Sequence, residues 1–198
     1  GEHMNGLQMA GIANITASKL NGVQIALCNY ATQARGLQIG LVNYYKENMK
    51  GFQLGLVNAN PDTRVQMMVY GGNATPANIG VRFKNQLFYT ILGIGSMYQG
   101  LNDKFSASAS YRAGLSFTLY KGLSISGDLG YQHIEAFDNK DEVIPKRLYA
   151  LQARANLEYQ FTRKFGIFAT GGYGLTRFYN KSSNYDKGAI IEAGIVLF

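Results

Sequence analysis

Residues 147–161 read RLYALQARANLEYQF, and their alternation decides what kind of fold this chain adopts. The odd positions are Tyr149, Leu151, Ala153, Ala155, Leu157, Tyr159 and Phe161; the even ones include Gln152, Arg154, Asn156, Glu158 and Gln160. Successive side chains of a β-strand point to opposite faces, so this strand has one wholly apolar face and one strongly polar face. Residues 105–119 and 123–131 follow the same rule, and so do 165–176 with Phe168 as the one intruder on the polar face. Such strands run to about 11–15 residues, against a usual length of about 5–6, and tilted strands of about 9–11 or more are what crossing a bilayer requires.

The connections test this reading independently. Lys84-Asn85, Tyr120–Gly122 and Thr162–Lys164 read as tight turns, whereas 99–104, 138–147 and 180–187 are longer and polar. Short and long connections therefore alternate, as in outer-membrane barrels with tight periplasmic turns and longer external loops. Equal parity across the three-residue turns keeps the odd residues outward on both flanking strands. Across Lys84-Asn85 the parity switches, which turns Phe88, Leu92 and Ile94 outward and leaves Tyr89, Gly93 and Gly95, with Leu87 and Ile91, inside.

The first sixty residues carry a repeat: NGLQMAGIAN (5–14), NGVQIALCNY (21–30), RGLQIGLVNYY (35–45) and KGFQLGLVNA (50–59). Its glycines, Gly6, Gly22, Gly36 and Gly51, are spaced 16, 14 and 15 apart. Read as strands of the same sheet, these units turn Leu37, Ile39 and Leu41 outward and place Gln8, Gln24, Gln38 and Gln53, with Gln66, on a polar inner wall. Strands near 6–13, 22–30, 36–45, 51–58, 64–70, 77–84, 86–98, 105–119, 123–137, 147–161, 164–179 and 188–198 number twelve, an even count as a closed bacterial barrel requires. The expectation is an all-β chain forming one domain over 1–198: a closed antiparallel up-and-down transmembrane β-barrel of about 12 strands. Residues 5–59 supply its repeat-bearing strands and 60–198 the others. Two alternatives stay open. One is a β-solenoid of coils of about fifteen residues with stacked glutamines, against which the wandering repeat length counts. The other is a soluble barrel with inverted faces, against which the sorted loops count.

Composition narrows the function classes. Glycine (24) and tyrosine (14) are abundant, and charged residues make up 16% of the 198. The net charge of +7 is spread singly, with no dense basic patch for nucleic acid. The single Cys28 excludes an internal disulfide, and no Cys/His cluster offers a metal site, so no cofactor is expected. The chain opens GEHMNG without a signal peptide; it is either cytoplasmic or a mature chain whose leader was removed, its first four residues reading as a cloning remnant.

The G-[LVF]-Q-[IML]-[GA]-x-x-N units of 5–59 resemble the surface-repeat proteins of Bacteroides-like bacteria, whose C-terminal halves look like outer-membrane barrels. The terminal AGIVLF is similar to the C-terminal signal read by the barrel-assembly machinery. The strand phase puts Ile191, Ala193, Ile195 and Leu197 outward with Glu192 inside, so Phe198 falls on the inner face, against that signal's usual pattern. The resemblance implies the bacterial outer membrane as location and its lipid bilayer as partner.

The inward ionisable set is Arg64, Arg82, Arg112, Asp128, Arg154, Glu158 and Glu192, joined in the expected lumen lining by Gln24, Gln38 and Gln53. The turn at Tyr120–Gly122 sets Arg112 and Asp128 a diagonal apart. With Arg64 counted, the basic members exceed the acidic ones, so an open pore would favour anions modestly. The leading functional expectation is a small passive, porin-like channel for polar solutes. The alternative is a non-conducting structural or surface-interaction barrel, working alone or within an outer-membrane protein complex. No enzymatic activity is expected: His133 falls outward beside Phe105, Ala107, Ala109, Tyr149 and Leu151, without a nucleophile or an orienting acid. The glycines of 171–174 make room in a barrel wall rather than a phosphate loop. Tyr44, Tyr45, Tyr98, Tyr120, Phe161, Phe178 and Tyr179 are candidates for interfacial girdles.

Overall fold

A computed structural model describes residues 2–96, 105–137, 147–179 and 184–197. The chain divides into two compact units, one over residues up to 64 together with 83–86, the other over 65–82 and from 87 onward.

The first unit is a five-stranded sheet of β1 (His3–Met9), β2 (Ala13–Ile25), β3 (Cys28–Ile39), β4 (Val42–Leu54) and β5 (Val57–Ala59), in sequential order and wholly parallel. These strands do not join the barrel, so the expected count of about 12 is corrected, and the solenoid alternative describes them instead. Register explains the repeat. Gly6, Gly22, Gly36 and Gly51 stand side by side, as do Gln8, Gln24, Gln38 and Gln53. The glutamine amides form a ladder, each Nε2 donating to the Oε1 of the preceding rung at 3.0, 2.8 and 2.9 Å. Asn14, Asn29, Asn43 and Asn58 form a second ladder at 3.1, 2.9 and 2.9 Å. Each glycine has positive φ (109°, 141°, 135° and 148°), and a Cβ on Gly36 would lie 2.0 Å from the Gly22 carbonyl oxygen. Only glycine turns that corner. The varying spacing, which seemed to count against stacked coils, is absorbed by bulges between Thr16 and Lys19 and between Ala31 and Gln33.

The second unit is a closed antiparallel barrel of eight strands: β6 (Arg64–Gly72), β7 (Ala77–Asn85), β8 (Phe88–Ser96), β9 (Ser106–Tyr120), β10 (Leu123–Ala136), β11 (Arg147–Thr162), β12 (Phe165–Phe178) and β13 (Asn184–Leu197), with β13 beside β6. The turn between β7 and β8 is Gln86-Leu87, two residues later than the sequence placed it, with Gln86 at φ 42°. Leu87 is therefore an exposed turn residue rather than an inward one. The parity expected across the other two short turns is realised through bulges at Leu123/Ser124 and Gln160/Thr162. Outside, Leu151, Leu157, Tyr159, Ile125, Leu129, Ile167 and Ile191 are exposed. From Tyr159 to Tyr149 the tilted strand covers about 25 Å, the height of a lipid-facing band. Tyr120 and Phe161 stand exposed at the short-turn end and Tyr179 beside the opposite end of β12. Phe178 instead packs against Tyr185 and a buried cluster, Tyr44 and Tyr45 belong to β4, and Tyr98 lies outside the described residues. The expectations on Phe198 and on most of the long loops also fall outside them.

Candidate functional site in the barrel interior

Inward positions of the eight strands converge on a layer of charge. Arg82 on β7 makes a two-pronged contact with Glu158 on β11, Nη1 to Oε2 at 2.6 Å and Nη2 to Oε1 at 2.9 Å, while its Nε and Nη2 also donate to Gln66 Oε1. Arg112 on β9 forks onto Asp128 on β10, with both bonds at 2.8 Å. It reaches further, to Asn156 Oδ1 at 3.1 Å and Glu192 Oε2 at 3.4 Å. Arg154 donates to Glu192 Oε1 at 3.2 Å and to Gln152 Oε1 at 2.7 Å. Tyr89 and Asn156 each donate to Asp128 Oδ2 at 2.8 Å, and Thr170 donates to Asn156 Oδ1 at 2.6 Å. All six ions are buried, Arg112 to 1% exposure.

Glycines opposite these side chains make the space they fill. A Cβ on Gly130 would stand 2.9 Å from Arg154 Nη1, and one on Gly114 would stand 2.7 Å from the Cβ of Asp128. Gly172 likewise faces Arg154, so the glycines of 171–174 do line a wall, with Gly171 turned to open space.

Two apolar clusters share the interior with this layer. Met68, Tyr70, Tyr89, Ile91, Phe168 and Val196 pack together, and the guanidinium groups of Arg82 and Arg112 lie 5.9 Å from the ring centroids of Tyr89 and Tyr70. Phe168, the intruder of the sequence pattern, is a member of this plug. Toward the loop end Gln152 donates to Gln132, and Gln132 to Ser108. Beyond them Ile134, Ala136, Leu148 and Ala150 form a second cluster with Ala74, Phe178 and Tyr185. A cavity of about 450 Å³, with Gln152, Thr176 and Ile190 in its wall, opens at this end.

Six of the sequence-derived lumen residues thus meet in the barrel interior: Arg112, Asp128, Arg154 and Glu192 in one bonded network, and Arg82 with Glu158 as a fork that also holds Gln66. Arg64 stands apart from these buried residues as the exposed first residue of β6. The layer then balances three guanidinium groups against three carboxylates, and the expected excess of positive charge disappears. Gln24, Gln38 and Gln53 line no barrel lumen; they form the ladder of the first unit. Among the described residues, Arg154 Nε and Nη1 and Gln66 Nε2 have no hydrogen-bond partner.

The sequence reading missed an outward cluster at the loop end of β10 and β11. His133 Nδ1 lies 2.7 Å from the Tyr179 hydroxyl, which also bonds Tyr131. Its Nε2 is 3.5 Å from Glu135, which Arg147 also contacts at 3.2 Å. Glu135 is an acid beside His133 that the sequence reading did not place there; the shared parity of positions 133 and 135 was the available signal. No group of three His, Cys, Asp or Glu among the described residues is placed to hold a metal ion.

No family model and no curated protein matches this chain. Among solved structures it is similar to the N-terminal β-barrel domain of Pseudomonas aeruginosa OprF, at 16% identity and a TM-score of 0.46, over 67% of this chain and 93% of that one. It is also similar to Yersinia pestis Ail in a phospholipid nanodisc (16% identity, TM-score 0.42, 69% and 99% covered) and to Neisserial surface protein A (9%, 0.41, 67% and 92%).

Proposed function

We propose that this protein is a non-conducting, non-catalytic structural barrel of the bacterial outer membrane that anchors the repeat unit and its external loops. One observation carries this reading: buried, charge-balanced guanidinium–carboxylate pairs and two apolar clusters occupy the barrel interior. An eight-stranded barrel has an interior just wide enough for side chains to fill. The buried carboxylates are engaged by guanidinium groups and hydrogen bonds, so moving a hydrated ion past them means breaking buried pairs. The apolar band argues for a lipid bilayer as the surrounding medium, and the repeat of 5–59 supports kinship with the Bacteroides-type repeat proteins. The porin-like reading, with polar solutes as cargo, is the one the filled interior argues against.

The test is conductance. Folded protein, verified by heat-modifiable migration, is reconstituted in planar bilayers and should carry no single-channel current. Steady unitary currents that shift in ion preference on Arg112→Gln and Arg154→Gln would restore the channel reading.

A further inference from the structure

The repeat unit is polar inside and apolar outside. Its interior holds the glutamine and asparagine ladders beside a small apolar cluster of Leu20, Ala31 and Ala34 with Met4 and Met49. The large side chains point the other way. Leu7, Val23, Leu37 and Phe52 stand in one register column, and Met9, Ile25, Ile39 and Leu54 in the next. The coil turns add Ile12, Leu27, Leu41 and Leu56, 77, 48, 49 and 38% exposed. Contiguous apolar patches of this kind on a folded surface mark a site of contact.

The glycine column divides this surface. On its far side the outward columns are polar and basic: Lys19 beside Gln33 and Asn48, and Arg35 beside Lys50. These side chains line a shallow cavity of about 210 Å³. Glu47, bonded to Gln33, and Glu2, whose carbonyl accepts from Lys19 N–H, are acids on that flank. An apolar face bordered by cations is the pattern of proteins that lie in a membrane interface, with acyl contact on one side and anionic headgroups on the other.

We propose that the outer face of the repeat unit is a lipid-binding surface, its apolar columns seated in one bilayer leaflet and Lys19, Arg35 and Lys50 meeting anionic headgroups. The proposal rests on the barrel being membrane-embedded but not on its being closed, so a current in planar bilayers would leave it standing.

The chain's single cysteine, Cys28, is exposed beside these apolar columns and reports on them directly. The full chain, spin-labelled at Cys28, is reconstituted in vesicles of phosphatidylcholine with phosphatidylglycerol. The label should be severalfold more accessible to oxygen, which partitions into lipid, than to a water-soluble nickel complex. A label at Arg35→Cys in a Cys28→Ser background should favour the nickel complex. Leu27→Asp with Leu41→Asp should expose the Cys28 label to nickel while the ladder inside stays protease-resistant. Lys19→Gln, Arg35→Gln and Lys50→Gln together should abolish any advantage of anionic over purely zwitterionic vesicles. A Cys28 label that meets nickel as freely as in water overturns the proposal. So does protection from both reagents that grows with the protein-to-lipid ratio, because the occupant is then a second copy of this chain.

Discussion

Arg112 joins three neighbours in the charge layer, Asp128, Glu192 and Asn156, and they show what its loss would do. Its fork on Asp128 and its reach to Glu192 and Asn156 leave no solvent to replace it. Arg112→Gln should therefore cost about 3–5 kcal/mol, read as a lower urea midpoint of the heat-modifiable form in detergent. Replacing both members of the other fork, Arg82→Met with Glu158→Leu, should cost far less, because no charge is left unpaired. On the lipid side, Leu157→Arg should cost about 2–4 kcal/mol near the midplane. Asn156→Arg is no mild counterpart, since Asn156 bonds Asp128, Arg112, Ser126 and Thr170 in the crowded interior. The Arg112–Asp128 pair was legible in the sequence, because a short turn and strand parity fix a local diagonal. Glu192 was legible as inward but not as Arg112's partner, being 80 residues away around a barrel whose circumference the sequence does not state. Arg64 was misread because parity says nothing about where a strand begins.

Among the elements, the stacked glycines of the repeat are the most exacting. Gly36→Ala places a methyl group against the Gly22 carbonyl at a φ of 135°, where a side chain is strained by about 1–3 kcal/mol before any clash is counted. The variant should lose protease resistance across residues up to 64 while the barrel keeps its heat-modifiable migration. Loss of both together would mean that the two units fold as one. Alternation misled the strand count for a physical reason. A period of two describes any strand with one polar and one apolar face, whether its neighbours run parallel or antiparallel. The discriminating signal was the recurrence of Gly, Gln and Asn near every fifteenth residue, which parallel coils need and antiparallel hairpins do not. Its wander obscured it, since a single bulge per rung changes the spacing without disturbing either amide ladder. The barrel strands were read well where they are long and their hairpins tight; the β7–β8 turn slipped by two residues because Gln86, a non-glycine at positive φ, gives no turn signal.

For the whole molecule, the outward band of Leu, Ile, Tyr and Phe sets the behaviour in solution. The protein should require detergent, and its folded form should migrate differently from its boiled form on gels; a monodisperse, detergent-free monomer would argue against a lipid-facing exterior. The eight-strand count has a further consequence. Each strand reverses the chain, so an even number returns it to the side from which it started. β6 begins, and β13 approaches its last described residue, at the end of the barrel that carries the turns Gln86-Leu87, Lys121-Gly122 and Arg163-Lys164. In outer-membrane barrels that end faces the periplasm. The polypeptide ahead of Arg64 then needs no passage across the membrane, and coils can be gained or lost there without rethreading the barrel. In a Cys28→Ser background, a cysteine replacing Arg35 should accordingly resist an impermeant maleimide on intact cells and react once the outer membrane is opened, whereas a cysteine replacing Asn73, in the turn at the opposite end, should react in both.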